Sequence, residues 1–221
     1  MGIIHDNVMA LRHELPAGVE LVAVSKFHPV ESIREAYDAG QRIFAESRPQ
    51  ELAAKASELT LPELEWHFIG HLQTNKLKLV LPHVSLVQSV DSVHLLEEIS
   101  RWGVQNGRRV DVLLEMHIAA EESKQGFHEE ELLELLFNAD KYRGVRFCGL
   151  MGMATNTTDE SVVESDFTRI DSFMAYLVEL FPELDSFRQL SIGMSQDWKM
   201  ALNHGSTMVR IGTAIFGDRE Y

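Results

Sequence analysis

The chain has 221 residues, of which 45% are hydrophobic and 24% are charged, so it can bury a sizeable core. Lysine and arginine number 20 against 34 aspartates and glutamates, which gives a formal net charge of −14. This acidity argues against nucleic acid or an anionic membrane surface as the main partner, because both attract a basic protein surface. The sequence contains neither a signal-peptide pattern nor an apolar run of membrane-spanning length, and we expect a cytoplasmic protein.

Eight short apolar runs alternate with longer amphipathic segments along the chain. Because these runs are apolar on both faces, they resemble strands that are covered by helices on one side and by packed core on the other. The predicted strands span residues 21–26, 42–47, 64–70, 85–92, 109–118, 145–154, 189–195 and 208–216.

Helical patterns occupy the segments between the strands, and one opening helix, over residues 2–13, precedes the first strand. The clearest pattern covers 159–181, where apolar residues at 163, 167, 170, 174, 177 and 181 form a single stripe. Thr157 with Glu160 resembles a capping box for this helix. Further helices are predicted over 29–39, 49–58 and 132–137.

Eight strand–helix alternations in about 200 residues predict an α/β fold, a (β/α)8 TIM barrel with an extra N-terminal helix. The alternative is an open, doubly wound sheet of similar content. The sequence has no linker or internal repeat, so we expect a single domain over 1–221. In a barrel, functional residues lie at the carboxyl ends of the strands, where the sequence has few candidate metal ligands.

Two residue types that often carry chemistry are weak candidates in this sequence. The single cysteine, Cys148, lies in an apolar run, and we expect a packed core thiol in a reducing compartment. His67 and His71 are four residues apart, but Gly70 intervenes in a strand-to-loop segment, which does not favour a metal site.

Lys26 ends the first apolar run, in the stretch LVAVSKFHP. An ammonium group at the end of a buried strand is desolvated, which favours the neutral amine that a Schiff base requires. The alternative is a lysine that extends to solvent or pairs with a carboxylate. The other lysines lie in polar helical or loop contexts: Lys55, Lys76, Lys78, Lys124, Lys141 and Lys199.

The C-terminal stretch MVRIGTAIFG predicts an anion site after the last strand. Gly212 allows close approach of the backbone, and Thr213 adds a hydroxyl donor. The preceding strand ends at Ser195, whose hydroxyl and the helix expected from Gln196 would face the same phosphate in a barrel. The alternative is a pair of glycine-containing loops without a ligand.

A lysine that traps a carbonyl and a phosphate cradle in one barrel mouth together indicate pyridoxal 5'-phosphate as the cofactor. This cofactor also needs a group facing its pyridine nitrogen, and Arg210 is the candidate. A cation there disfavours protonation of the nitrogen and weakens the ring as an electron sink.

The stretches LVAVSKFHP, WHFIGHLQTNK, ESKQGF, GLMGMAT, LSIGMSQDW and GSTMVRIGTAIFG closely resemble the pyridoxal phosphate homeostasis protein family, in order and with matching spacing. That family resembles the isolated barrel domain of the alanine racemases. The resemblance implies a cofactor-binding protein without established catalysis, which buffers pyridoxal phosphate and delivers it to recipient enzymes that depend on it.

The resemblance makes Lys26 the residue that holds the cofactor as an aldimine, and it assigns no catalytic or metal-binding residues. The phosphate would be held by Ser195, Gly212 and Thr213, and Arg210 would face the pyridine nitrogen. Pocket-lining or supporting roles fall to Met194 and His67. This chain reads Ala-Glu-Ser where the family usually has Gly-Glu-Asn, so Ser47 takes the place of the asparagine expected near the cofactor, and its shorter hydroxyl would reach the cofactor through water.

The resemblance leaves two other functions open. A racemase needs acid–base groups on both faces of the cofactor adduct, and none of the tyrosines, Tyr37, Tyr142, Tyr176 and Tyr221, follows a predicted strand. Efficient racemisation is therefore not expected, although a narrow pyridoxal phosphate enzyme is an alternative. The second open function is that of a regulatory module that docks on cofactor-using enzymes. We expect a monomer or a weak homodimer.

Overall fold

The computed structural model describes residues 2–121 and 125–217. Within these residues, eight parallel strands pair in sequence order, and the first strand pairs with the last to close a barrel. This topology confirms the predicted (β/α)8 barrel and excludes the open sheet. The strands are β1 (Glu20–Val24), β2 (Ile43–Glu46), β3 (Glu65–Phe68), β4 (Leu86–Val90), β5 (Val110–Met116), β6 (Val145–Gly152), β7 (Gln189–Met194) and β8 (Met208–Ile211).

Helices connect successive strands, and one helix precedes β1, as predicted. The described helices are α1 (Ile3–Glu14), α2 (Val30–Asp38), α3 (Pro49–Glu58), α4 (Leu77–Val80), α5 (Val93–Gln105), α6 (Glu129–Phe137), α7 (Glu160–Leu180), α8 (Trp198–Leu202) and α9 (Thr213–Phe216). Short 3-10 turns lie at 74–76 and 139–141.

The hydrophobic core has two layers because the side chains of each strand alternate between the two faces of the sheet. The larger layer lies between strands and helices, and it contains Leu21 and Ala23 of β1 together with the apolar stripe predicted on α7. The smaller layer fills the barrel, and it contains Val22 and Val24 of β1. Cys148 belongs to the inner layer, where burial raises the pKa of its thiol to about 11, as befits a packed core thiol.

The structure corrects two sequence predictions near helix termini. The eighth predicted strand, 208–216, is too long, because β8 ends at Ile211 and helix α9 begins at Thr213. The predicted capping box of α7 is also wrong, since Asp159 is its N-cap and accepts from the Ser161 backbone N–H at 3.0 Å. Thr157 lies two residues before this N-cap, and its hydroxyl accepts from the Asp159 backbone N–H at 3.1 Å.

None of the helices among the described residues combines the length and the apolar character needed to cross a membrane. The single-domain organisation over 1–221 stays a prediction.

Candidate functional site at the barrel mouth

A cavity of about 850 Å³ opens at the carboxyl ends of the strands. Most of its lining comes from the carboxyl ends of β1, β6, β7 and β8 and from the segments that follow them, so it lies where barrel folds place their functional residues. Six of the eight site residues predicted from the sequence line it: Lys26, Met194, Ser195, Arg210, Gly212 and Thr213.

The turn after β1 carries Lys26 to this cavity. It begins at Ser25, whose carbonyl accepts from the His28 backbone N–H at 3.1 Å. Phe27 adopts a φ of 69°, a left-handed conformation that is uncommon outside glycine. The His28 ring stacks on Phe216 of α9, with ring centroids 4.9 Å apart, and thereby joins the turn to the segment after β8.

The segments after β7 and β8 contact each other directly. The backbone N–H of Gly212 donates to the Ser195 hydroxyl at 3.3 Å, so both groups lie at one rim of the cavity. A Cβ atom at Gly212 would lie 3.1 Å from the Val24 carbonyl oxygen, so a side chain there would crowd the end of β1. The exposed Thr213 begins α9, whose first backbone N–H groups have no partner from within the helix.

Arg210 supplies a buried positive charge beneath this rim. Its guanidinium donates to the Ser191 carbonyl and hydroxyl oxygens at 2.7 Å each, and to the Gly152 carbonyl at 2.9 Å. All three of these acceptors are neutral groups. Burial lowers the pKa of Arg210 to about 10, so the group remains charged at neutral pH.

A chain of polar side chains crosses the barrel interior and ends at Arg210. The Ser191 hydroxyl donates to Gln88 Oε1 at 2.7 Å, and Gln88 Nε2 contacts His67 Nδ1 at 2.9 Å. Burial lowers the pKa of His67 to about 3, so its ring is neutral and Nδ1 accepts from the amide. His67 is therefore connected to Arg210 indirectly, through the hydrogen-bonded side chains of Gln88 and Ser191.

The two remaining predicted residues do not line the cavity. His67 lies within the polar chain just described, and Ser47 is half-buried at the end of β2. The backbone of Ser47 packs closely against Gly70. Any side chain at position 70 would clash, because its Cβ would lie 2.2 Å from the Ser47 carbonyl oxygen. His71 lies apart from His67, exposed and donating to Asp91 at 2.8 Å. No group of three or more potential metal ligands occurs among the described residues.

The structure reveals functional candidates that the sequence analysis missed. Lys55 was expected in a polar context, but it is only 7% exposed, and its ammonium contacts two carboxylates, Glu46 and Glu51. Gln88 and Ser191 lie in the barrel interior. In the sequence, Gln88 and Ser191 are polar residues inside otherwise apolar runs, and this pattern could have indicated a buried polar role.

The cavity offers groups that match an aldehyde-bearing phosphate. Lys26 supplies an amine, and Arg210 supplies a buried cation. The rim formed by Ser195, Gly212 and Thr213 supplies hydroxyl and backbone N–H groups. Since these groups line one cavity and Gly212 leaves no side chain in it, pyridoxal phosphate fits the residues present.

Known proteins resemble this chain over nearly its whole length. The family model of the alanine racemase N-terminal domain matches residues 2–220. The pyridoxal phosphate homeostasis protein of Vibrio alginolyticus is 38% identical over 210 residues, which are 93% of this chain and 89% of that protein. The protein of the same name from Escherichia coli K12 is 39% identical over 210 residues, with 93% and 88% covered.

Solved structures agree with this similarity. PipY of Synechococcus elongatus without pyridoxal phosphate superposes with a TM-score of 0.92 at 39% identity, covering 97% of this chain and 100% of that one. PipY with pyridoxal phosphate bound gives a TM-score of 0.89 at 38% identity, with the same coverage. Alanine racemase of E. faecalis shares the fold, with a TM-score of 0.77 at 19% identity over 58% of its chain. The chain therefore belongs to the alanine racemase N-terminal domain family and, within it, to the pyridoxal phosphate homeostasis proteins.

Proposed function

We propose that this protein binds pyridoxal phosphate through Lys26 at the barrel mouth and serves in intracellular homeostasis of that cofactor. The observation that carries the proposal is a single cavity lined by Lys26, by Arg210 and by the segments after β7 and β8. The structure of PipY with pyridoxal phosphate bound supports the choice of ligand. The names of the relatives from Vibrio alginolyticus and Escherichia coli support the homeostatic role.

The proposed roles follow the chemistry of each group. Lys26 binds the aldehyde, while Ser195, Gly212 and Thr213 donate hydrogen bonds to the phosphate. The bound cofactor supplies an electrophilic carbonyl conjugated to a pyridine ring. Arg210 keeps a positive charge beside the ring nitrogen, disfavours its protonation and so weakens the ring as an electron sink.

The supporting residues act less directly in this proposal. Met194 forms an apolar part of the cavity wall. His67 supports the site through Gln88 and Ser191, because that polar chain orients the guanidinium of Arg210. A contact between Ser47 and the cofactor stays a prediction, and a bridging water would be needed for it because Ser47 does not line the cavity.

Borohydride reduction of the loaded protein tests the assignment of Lys26. Reduction should convert the lysine–cofactor linkage into a stable amine, and peptide mass mapping should find the pyridoxyl label on Lys26. The Lys26→Ala variant should lose affinity for the cofactor about tenfold or more, while exposed Lys78→Ala on α4 should bind normally. A label on another lysine of the native protein would refute the assignment.

Catalysis is the alternative that must be separated from cofactor storage. Racemisation needs a second acid–base group opposite the lysine, and no tyrosine of the described chain lines the cavity, while Tyr221 lies outside the described residues. This supports storage and transfer. Deuterium exchange at the α-carbon, assayed with a panel of amino acids, should remain at background, whereas steady exchange with any of them would make the protein an enzyme.

Transfer to recipient enzymes is the remaining part of the proposal. Loaded protein mixed with a cofactor-free pyridoxal phosphate enzyme should restore the activity of that enzyme. A recipient that recovers only at the rate seen with dilute free cofactor would indicate passive buffering without docking.

A further inference from the structure

A buried ionic cluster lies beside the turn that carries Lys26, outside the cavity. It consists of Lys55 on α3, Glu46 at the end of β2, and Glu51 on the first turn of α3. The side chain of Glu46 is fully buried, and that of Lys55 is 8% exposed. None of the three lines the cavity, so none of them would contact a ligand there directly.

The cluster holds the two neighbours of Lys26 in the sequence. The Lys55 ammonium donates to the Ser25 carbonyl at 2.8 Å, and the Ser25 hydroxyl donates to Glu46 Oε1 at 2.7 Å. On the other side, the backbone N–H of Phe27 donates to Glu51 Oε1 at 2.7 Å. The backbone of Lys26 is therefore fixed from both sides by charge-assisted hydrogen bonds, which are stronger than neutral ones.

The conformation of the turn explains why such fixing is needed. Phe27 has a φ of 69°, a conformation that is unfavourable for a residue with a side chain and needs stabilisation from its surroundings. The hydrogen bond to Glu51 and the packing of the Arg48 guanidinium over the Phe27 ring, 4.3 Å from its centroid, supply that enforcement. Without the cluster the turn would relax and move the lysine between Ser25 and Phe27.

Lys55 joins the separate parts of the cluster. Its ammonium donates to Glu46 Oε1 at 2.8 Å and to Glu51 Oε1 at 2.7 Å, so it links the carboxylate that holds Ser25 to the one that holds Phe27. Removing this cation would leave a fully buried carboxylate without its counter-ion, which is unfavourable.

We propose that Lys55 is a positioning residue, which sets the place of the Lys26 amine through Glu46 and Glu51. The inference rests on the proposed binding of pyridoxal phosphate to Lys26. The inference concerns only the bond between Lys26 and the aldehyde. The proposed contacts to the phosphate and the ring come from β8 and from the segments after β7 and β8, which lie outside the cluster.

Two ligands separate positioning of the amine from general support of the barrel. Pyridoxal phosphate uses Lys26, whereas pyridoxine phosphate has an alcohol in place of the aldehyde and depends on the phosphate and ring contacts alone. In Lys55→Met, affinity for pyridoxal phosphate should fall about tenfold or more, because a charged hydrogen-bond network is lost. Affinity for pyridoxine phosphate should stay within about twofold of the native value.

Arg169→Met is the control, because it removes the cation of a surface ion pair that joins α7 to Glu129. It should bind both ligands normally. Equal weakening of both ligands by Lys55→Met would mean that the cluster only supports the fold, and unchanged binding of both would also overturn the proposal. A native protein that binds neither ligand would instead refute the proposed function.

Substitution of Glu51 keeps the proposal testable if Lys55→Met does not fold. Glu51→Ala removes the acceptor for the Phe27 backbone N–H but leaves the pair between Lys55 and Glu46 intact. It should weaken pyridoxal phosphate selectively. Glu51→Gln retains an oxygen acceptor for the Phe27 N–H and should recover most of the loss. Normal binding of pyridoxal phosphate by Glu51→Ala, or equal weakening of both ligands, would contradict the positioning role.

Discussion

At the scale of single residues, Glu115 on β5 is a buried carboxyl group close to the charged end of the barrel. It is 6% exposed. Burial, together with the neighbouring Asp91, raises its pKa from 4.5 to about 7, against the opposing influence of Arg210 and His71. A group that is harder to ionise in the folded protein than in the unfolded chain makes folding depend on pH.

The sign of this dependence is definite. Below pH 4.5 the carboxyl is protonated in both states, and its contribution to stability is fully present. As pH rises towards about 7 the unfolded chain ionises first, and stability is lost. The difference between the two pKa values corresponds to about 3 kcal/mol.

Glu115→Gln should therefore raise the free energy of unfolding of the cofactor-free protein at about pH 8 by up to about 3 kcal/mol, and change it little at about pH 4.5. Urea unfolding over this pH range measures the effect. Exposed Glu130→Gln is the control for removal of a carboxylate at the surface. A Glu115→Gln profile parallel to that of the native protein would show that the group does not titrate as argued.

At the scale of elements, the pairing of β6 with β7 depends on Gly149. Its φ is 147°, and a Cβ atom there would lie 1.8 Å from the Gln189 carbonyl oxygen. The register between β5 and β6 shifts at this point, between Val112 and Leu113, so the strand is irregular where the glycine lies. The irregularity matters for the site because Gly152, at the end of the same strand, accepts from Arg210.

Gly149→Ala should prevent stable folding or cost several kcal/mol, because the clash is with backbone that cannot move without breaking the sheet. Gly107→Ala tests conformation alone, since Gly107 has a φ of 63° and nothing within 4 Å of its Cβ position. It should cost about 1 kcal/mol. Urea unfolding compares the two, and similar losses would mean that the β6–β7 contact yields more easily than the structure indicates.

At the scale of the whole molecule, the proposed ligand bridges the closure of the barrel. Lys26 follows β1, Gly212 and Thr213 follow β8, and β1 pairs with β8 through partners such as Val22 and Arg210. A ligand held by both segments ties the first strand to the last. Stability should therefore depend on cofactor concentration, since anything that binds only the folded state stabilises it.

At a hundredfold excess over Kd, pyridoxal phosphate should stabilise the fold by about 2.7 kcal/mol and raise Tm by roughly 5 to 10 °C. Hydrogen exchange should slow most in β1 and β8. Thermal unfolding and exchange mass spectrometry measure these effects, with Lys26→Ala as the comparison. Protection spread evenly over the barrel would argue against a ligand that bridges the closing strands.

The sequence by itself determined the number and order of the strands, because each needs only a local run of apolar residues between helical patterns. It also singled out Lys26 and the stretch around Arg210, since a lysine or arginine in an apolar strand is unusual at the level of neighbouring residues. These signals require no knowledge of distant contacts.

Only the tertiary structure decided which charges are buried and what they contact. Lys55 lies in a polar helical sequence, yet packing of α3 against the ends of β1 and β2 buries its ammonium against Glu46 and Ser25. The chain from His67 to Arg210 likewise joins four strands that are far apart in sequence. Burial and pairing of this kind depend on strand register and barrel closure, which no local pattern of residues specifies.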